Sequence, residues 1–233
     1  MFSILQQTLN LIYPSNCISC KISLKFYEKY VCDICLNKIE FIKKCCIVCG
    51  KPLIASEIKC GQCIVDLPVF EKAISVGNYN VVIKDIILLF KYKKREGISK
   101  IIEKIIFKYL ENESLNKNID LMIPVPLHKS RLKERGFNQS EILAKIIRKK
   151  YSFKIEKNLI RIKKTRPQIE LNAKERKDNI KGAFVLKTPE KIKDKTILLI
   201  DDVYTTGSTI KECAKVLQKA KVKTIYVFTF AHG

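Results

Sequence analysis

Hydrophobic and polar positions alternate with more than one period along this chain. Four consecutive apolar residues, Ile197 to Ile200, form the short unbroken run that suits a strand buried on both faces, as in a parallel sheet. Just downstream, Ile210, Cys213, Ala214 and Leu217 recur at i, i+3, i+4 and i+7, the spacing of one buried helix face. Cys213 on that face reads as a packed core residue. Ile83, Ile86, Ile87 and Phe90 predict a second helix that runs into the basic stretch KYKKREG. Ile142, Leu143, Ile146 and Ile147 predict a third, with Ser140 as its N-cap. Strands are expected over 73–79, 121–125 and 225–230. The strand over 121–125 meets two prolines, Pro124 and Pro126, and then an irregular basic loop carrying His128, Arg131, Lys133 and Arg135. His128 has no visible acid or metal partner and reads as a loop residue. Residues 161–184 break the pattern, being polar, basic and interrupted by proline between two apolar strands. Loops this long inside a domain tend to be functional, and a mobile basic flap here would close over an anionic, hydrolysis-prone substrate and exclude water.

The segment TILLIDDVYTTGST, residues 196–209, carries the densest candidate chemistry. Asp201 and Asp202 stand at the carboxyl end of the apolar run, and Thr205, Thr206, Gly207, Ser208 and Thr209 follow immediately before a helix. A loop at a helix N-terminus presents unpaired N–H groups and the positive end of the dipole, which suits a phosphate. Two carboxylates nearby would repel that phosphate but accept hydrogen bonds from neutral hydroxyls of the same ligand. A sugar bearing a phosphate and a vicinal diol, such as ribose 5-phosphate, meets both demands. A Walker B strand could also end in Asp, yet no G-x-x-x-x-G-K-[ST] loop precedes it, which disfavours a nucleotide triphosphatase.

The cysteines change the picture at the other end of the chain. Nine of ten lie before residue 64, which marks a domain boundary. Eight form four C-x-x-C knuckles, Cys17/Cys20, Cys32/Cys35, Cys46/Cys49 and Cys60/Cys63, with Cys45 beside the third. Spacers of 11 and 10 residues inside the first and last two pairs resemble a double zinc ribbon, two knuckles completing each tetrahedral site. Disulfides are the competing reading, and the apparent absence of a secretory leader favours metal. The spacing alone leaves open which knuckles share an ion and whether both sites are filled. No run reaches the ~18 apolar residues of a membrane span, so a cytoplasmic protein is expected. Forty-five Lys and Arg against 23 Asp and Glu give a net charge of +22, which attracts polyanions at low salt or reflects compositional bias. Lys163, Lys164 and Arg166 in the flap, with Tyr92 for base stacking, are the candidate single-stranded nucleic-acid contacts.

Aspartate pair, hydroxyls and glycine together resemble the phosphoribosyl diphosphate (PRPP) loop of type I phosphoribosyltransferases. With IPVPLHKSRLKERGFNQSEILA, RPQIELNAKERKDNIKGAF and the cysteine-rich start, the chain from Cys17 to Ala231 resembles the ComF family, also called ComFC, of competence-associated phosphoribosyltransferase-like proteins. Arg135-Gly136-Phe137-Asn138-Gln139 is the most specific part of that likeness. The resemblance implies an α/β type I phosphoribosyltransferase fold, a mostly parallel sheet flanked by helices, over 67–233, behind an N-terminal helix and zinc-ribbon module over 1–66. It implies that Asp201 and Asp202 hold the ribose hydroxyls, Thr205 to Thr209 the 5-phosphate, and Arg131, Arg135, Lys174 and Arg176 the diphosphate, with Mg²⁺ bridging ligand oxygens. It further implies a role in DNA uptake or the processing of internalised single strands, with a helicase and a recombination mediator as partners.

The likeness leaves the acceptor unnamed. The sequence stops directly after the strand over 225–230, so no C-terminal hood for a nucleobase is expected, and Phe2 stands where a glutamine-hydrolysing relative would need cysteine. Two functions follow: phosphoribosyl transfer to an unidentified acceptor, or a single-stranded DNA adaptor whose PRPP pocket senses or is vestigial. Fold resemblance alone does not decide catalysis.

Overall fold

The computed structural model describes residues 16–54, 57–92, 96–113, 115, 118–165 and 173–233, with the side chains of Tyr92, Glu96, Ala173, Lys174 and Lys177 outside that description. The helix expected at the N-terminus, Arg166, and the side chains of Lys174 and Tyr92 therefore lie outside the described residues.

Five strands form one parallel sheet in the order β1-β7-β6-β2-β3: β1 (Lys72–Asn78), β2 (Leu121–Pro124), β3 (Lys154–Ile155), β6 (Thr196–Tyr204) and β7 (Thr224–His232). Between β3 and β6 the chain leaves the sheet to make an antiparallel pair, β4 (Leu159–Arg161) with β5 (Phe184–Leu186). The apolar run Ile197 to Ile200 is the fully buried stretch of β6, and period two sends its side chains to opposite cores. Ile197 and Leu199 pack into a cluster with Ile210, Cys213 and Leu217 of α8 (Ser208–Lys219). Leu198 and Ile200 join the other cluster, with α3 (Val81–Tyr92), α4 (Glu96–Asn112) and α6 (Gln139–Tyr151). Burying each such Ile or Leu side chain contributes ~1.5–3 kcal/mol, so a strand apolar on both faces holds helices on both.

The cysteine-rich region carries two one-turn helices, α1 (Asp33–Asn37) and α2 (Gly61–Val65), and covers the exposed edge of the sheet. The Val48 carbonyl accepts from Ala73 N–H at 2.6 Å, and Ile42 N–H donates to the Val76 carbonyl at 3.2 Å. An edge strand is thereby closed to foreign pairing. Cysteines of both knuckle pairs enter the two sheet cores, so apolar packing is continuous across the expected boundary near residue 66.

Three local expectations are corrected. The basic loop after β2 contains a short helix, α5 (Lys129–Arg135), whose N-cap is His128, accepting from Ser130 N–H at 3.3 Å, and whose C-cap is Gly136 at φ 77°. Ser140 is not the N-cap of α6: Asn138 caps it through Oδ1, which accepts from Ser140 N–H at 3.0 Å. The flap is not all loop, because Ala173–Ile180 forms a helix, α7.

Candidate functional site

The connection after β2 leads through α6 to β3 on one side, and the connection after β6 leads through α8 to β7 on the other. Neighbouring strands whose connections diverge leave a crevice at their carboxyl ends. β2 pairs with β6 only as far as Pro124 opposite Ile200, so Asp201 and Asp202 lie one and two residues beyond the last rung, at the crevice.

Asp201 Oδ1 accepts from Ser140 Oγ at 3.1 Å and from Asp202 N–H at 2.9 Å. Burial and the neighbouring Asp202 charge raise its carboxyl to about 7, against the opposing pull of those two hydrogen bonds and of Lys91. Asp202 Oδ2 pairs with Lys91 Nζ at 2.7 Å. Burial works against the Lys91 charge, but Asp202 and Asp201 together hold it above the ordinary lysine range. The two acids are therefore unequal, one holding its proton up to about pH 7 and one ion-paired.

The hydroxyl cluster follows directly. Gly207 at φ 71° caps α8, and a Cβ there would collide with the Tyr204 hydroxyl, so glycine is required on both backbone and steric grounds. Thr206 Oγ1 lies 2.8 Å from Ser208 Oγ and accepts from Ser208 N–H at 3.4 Å. Beneath the loop, Tyr204 is buried, stacked on His232 with centroids 4.9 Å apart and set edge-on to Phe70. A cleft of about 430 Å³ opens on the outer side of Thr206 and Ser208, towards Leu67 and Val69, and neither Asp201 nor Asp202 lines it.

The segment 135–140 aims one wall of the crevice. Phe137 packs on Phe90, Asn138 Nδ2 donates to the Val125 carbonyl at 3.0 Å, and Arg135 Nη1 donates to Gln139 Oε1 at 3.3 Å. Anchoring Asn138 to Val125, just past β2, while it caps α6 is what delivers the Ser140 hydroxyl to Asp201. Arg131 reaches across to the Thr165 carbonyl at 3.5 Å. Arg176 is half-buried on α7, whereas Lys163 and Lys164 are exposed, with Lys163 Nζ donating to the Lys181 carbonyl at 2.8 Å.

Three groups escaped the sequence reading: Lys91, the Ser140 hydroxyl and Arg161. Lys91 follows an apolar stripe and looks like the solvated end of a helix. Arg161 did leave a signal, because it shares a strand face with buried Leu159 two residues earlier, an odd place for a charge.

The cysteine donors form two sets, Cys17, Cys20, Cys32 and Cys35, then Cys46, Cys49, Cys60 and Cys63, with all sulfurs of a set within 4.8 Å of one another. Tetrahedral Zn–S bonds of ~2.3 Å require sulfurs ~3.8 Å apart. Cys20 and Cys32 are 3.6 Å apart, and Cys49 and Cys60 are 3.5 Å apart. Burial resists charge on Cys17, but N–H groups of Cys20, Cys32 and Ser19 aimed at its sulfur bring it down to about 6. Pre-formed sulfur tetrads with N–H donors fit Zn²⁺, and the pairing left open by spacing is consecutive knuckle with consecutive knuckle.

Residues 8–64 match the double zinc ribbon domain family, and residues 91–233 match the phosphoribosyl transferase domain family. Competence protein F of Haemophilus influenzae is 30% identical over 223 residues, spanning 94% of this chain and 97% of that protein. The chain belongs to the ComF family. Other members share most of its length: DNA utilization protein YhgH of Escherichia coli K12 is 28% identical over 94% of this chain and 97% of its own. Competence protein ComFC of Bacillus subtilis is 26% identical over 87% of this chain and 84% of its own. The ComF combination of double zinc ribbon and phosphoribosyltransferase domain is thus complete here, with structural zinc supported by both cysteine sets. Among the described residues no helix is long and apolar enough to cross a membrane.

Proposed function

We propose that this ComF protein binds PRPP with Mg²⁺ in the crevice and transfers its phosphoribosyl group during natural competence, acting in the cytoplasm on internalised DNA. What supports the reading is the order along the chain where β6 outruns its pairing with β2: Asp201 and Asp202, then the hydroxyl loop, then the Ser208 end of α8. In this reading Asp201 and Asp202 accept from the ribose hydroxyls, and Thr205, Thr206, Gly207, Ser208 and Thr209 hold the 5-phosphate through hydroxyls and helix N-terminal amides. Arg131, Arg135, Lys174 and Arg176 are assigned to the diphosphate. Mg²⁺, when bound, neutralises ligand oxygens and is held mostly by them.

The C1–O bond to diphosphate breaks with its electron pair leaving on oxygen, and the acceptor nucleophile forms the new bond at C1. Positive charge that grows on the ribose ring in between is stabilised by the carboxylates below it. Lys91 must release Asp202 for both acids to engage the ligand. Engagement favours the ionised form of Asp201, so PRPP affinity is expected to rise with pH through about 7.

The names of the relatives, competence proteins and a DNA utilization protein, together with the +22 charge, support DNA as the macromolecular partner. In this reading the DNA is single-stranded, with a competence helicase and a recombination mediator as neighbours. The test is release of diphosphate from PRPP and Mg²⁺ with single-stranded DNA among the acceptors. Acceptor-dependent release that vanishes in Asp201→Asn supports transfer. PRPP binding without release under any acceptor would reduce the pocket to a sensor within a DNA adaptor.

A further inference from the structure

Arg161 ends β4 only 9% exposed, and among the described residues no carboxylate pairs with it. Its Nη2 donates to the Thr165 hydroxyl, and its guanidinium lies over the Phe184 ring with Cζ 5.5 Å from the centroid. Its Nε–H is buried and has no acceptor. Burial, then the charges of Arg131 and Arg135, push its pKa below the usual arginine value, while Asp201 pulls the other way. Thr165 holds two guanidiniums together, since its carbonyl takes Arg131 and its hydroxyl takes Arg161.

A buried cation kept beside other cations is a stability cost unless something completes it. Asp201 is the nearby counter-charge, and its carboxyl, raised to about 7, is only partly ionised near pH 7. The group that matches a guanidinium with a spare N–H is an oxyanion, bound through a planar fork. We propose that Arg161 and Arg131 form an oxyanion position at the root of the β4–β5 pair, separate from the hydroxyl loop at 205–209, which receives a phosphoryl group. The diphosphate leaving C1 is the source that the PRPP reading supplies, and a phosphate carried by the acceptor is the other. The identity of the ligand rests on that reading, whereas the existence of the site rests on Arg161.

Calorimetric titration of the full-length, zinc-loaded protein with pyrophosphate, inorganic phosphate and ribose 5-phosphate tests this. Arg161→Gln is expected to weaken pyrophosphate binding at least tenfold and to leave ribose 5-phosphate within twofold. Equal loss for inorganic phosphate and pyrophosphate supports a site for one phosphoryl group and points to the acceptor, whereas loss for pyrophosphate alone points to the leaving group. A second readout separates function from packing: ligand-free Arg161→Met should melt at or above the wild-type temperature, because a buried unpaired charge is gone. A lower melting temperature with unchanged pyrophosphate affinity would mark a structural arginine and overturn the proposal, as would wild-type protein that binds no pyrophosphate at millimolar concentration. Should both Arg161 variants fail to fold, Arg131→Gln is expected to show the same selective loss, and unchanged pyrophosphate affinity there overturns the shared site. Pyrophosphate bound through Arg161 without ribose 5-phosphate binding would leave this site standing and remove the PRPP reading of the hydroxyl loop.

Discussion

Cys17, Cys20, Cys32 and Cys35 come from one stretch of 19 residues, whereas the groups around Asp201 come from α3, α6, β4 and β6, from Lys91 to Asp202. The cysteine sets need only two tight knuckles each to bring their donors together, and metal binding is then part of folding. The crevice is the reverse case. It exists only after the sheet is assembled, and it holds groups that resist being there: a carboxyl raised to about 7 and a buried arginine lacking a full set of partners. One region stabilises the fold, and the other draws on that stability to keep a charged pocket ready.

The largest effect should come from breaking the stabilising region. Metal analysis is expected to return two zinc ions per chain, and Cys46→Ser one. Because Cys46 shares a core with Tyr204, Ile210 and Val227, the variant should lose several kcal/mol and melt about 10 °C lower. Differential scanning calorimetry checks this, and a wild-type melting curve with one zinc retained would show that the second cluster is not structural.

Next comes the joint between the regions. Gly207→Ala forces a side chain onto the Tyr204 hydroxyl at φ 71°, for which left-handed strain and overpacking predict about 2–4 kcal/mol of destabilisation. Gly61→Ala, with open space at its Cβ position, is the control and should change stability by less than about 1 kcal/mol.

A smaller effect carries a pH signature. The folded state holds the Asp201 proton up to about pH 7, while the unfolded chain releases it near the ordinary value of 3.8. The contribution of Asp201 to stability is therefore full below that lower value and lost as pH rises through 7. Asp201→Asn keeps an oxygen for Ser140 and for the Asp202 N–H, so it should raise the ligand-free melting temperature clearly more at pH 8 than at pH 5. Equal shifts at both pH values would contradict the raised carboxyl.

The smallest effect concerns DNA. Neutralising Lys163, Lys164 and Arg166 should flatten the salt dependence of single-strand binding by about 2 units of log–log slope, if each contacts one phosphate. An unchanged slope would remove the flap from the DNA surface.

What could be read from the sequence follows the same division. The strand Ile197–Ile200, the buried face of α8 and the four knuckles are local patterns, and each stands where its spacing places it. Ser140 was legible as a helix start but not as a partner of Asp201, because Asn138 two residues earlier outcompetes it for the cap and frees its hydroxyl. The partnership of Lys91 with Asp202 joins residues far apart in sequence, which no periodicity encodes. The basic run 129–135 lacks an apolar stripe, so its helix is visible only once His128 and Gly136 are seen as caps.

The central claim, that the crevice binds PRPP through its acid pair, is tested most directly by isothermal titration of PRPP with Mg²⁺ into wild type and Asp201→Asn/Asp202→Asn. Both acids sit at a strand end rather than in either core, so the double variant is expected to fold. The wild type should take up one equivalent and melt higher in its presence, by an amount equivalent to about 2.7 kcal/mol at a hundredfold excess over Kd. The double variant should show neither heat nor shift. PRPP binding of equal affinity in the double variant would contradict the account.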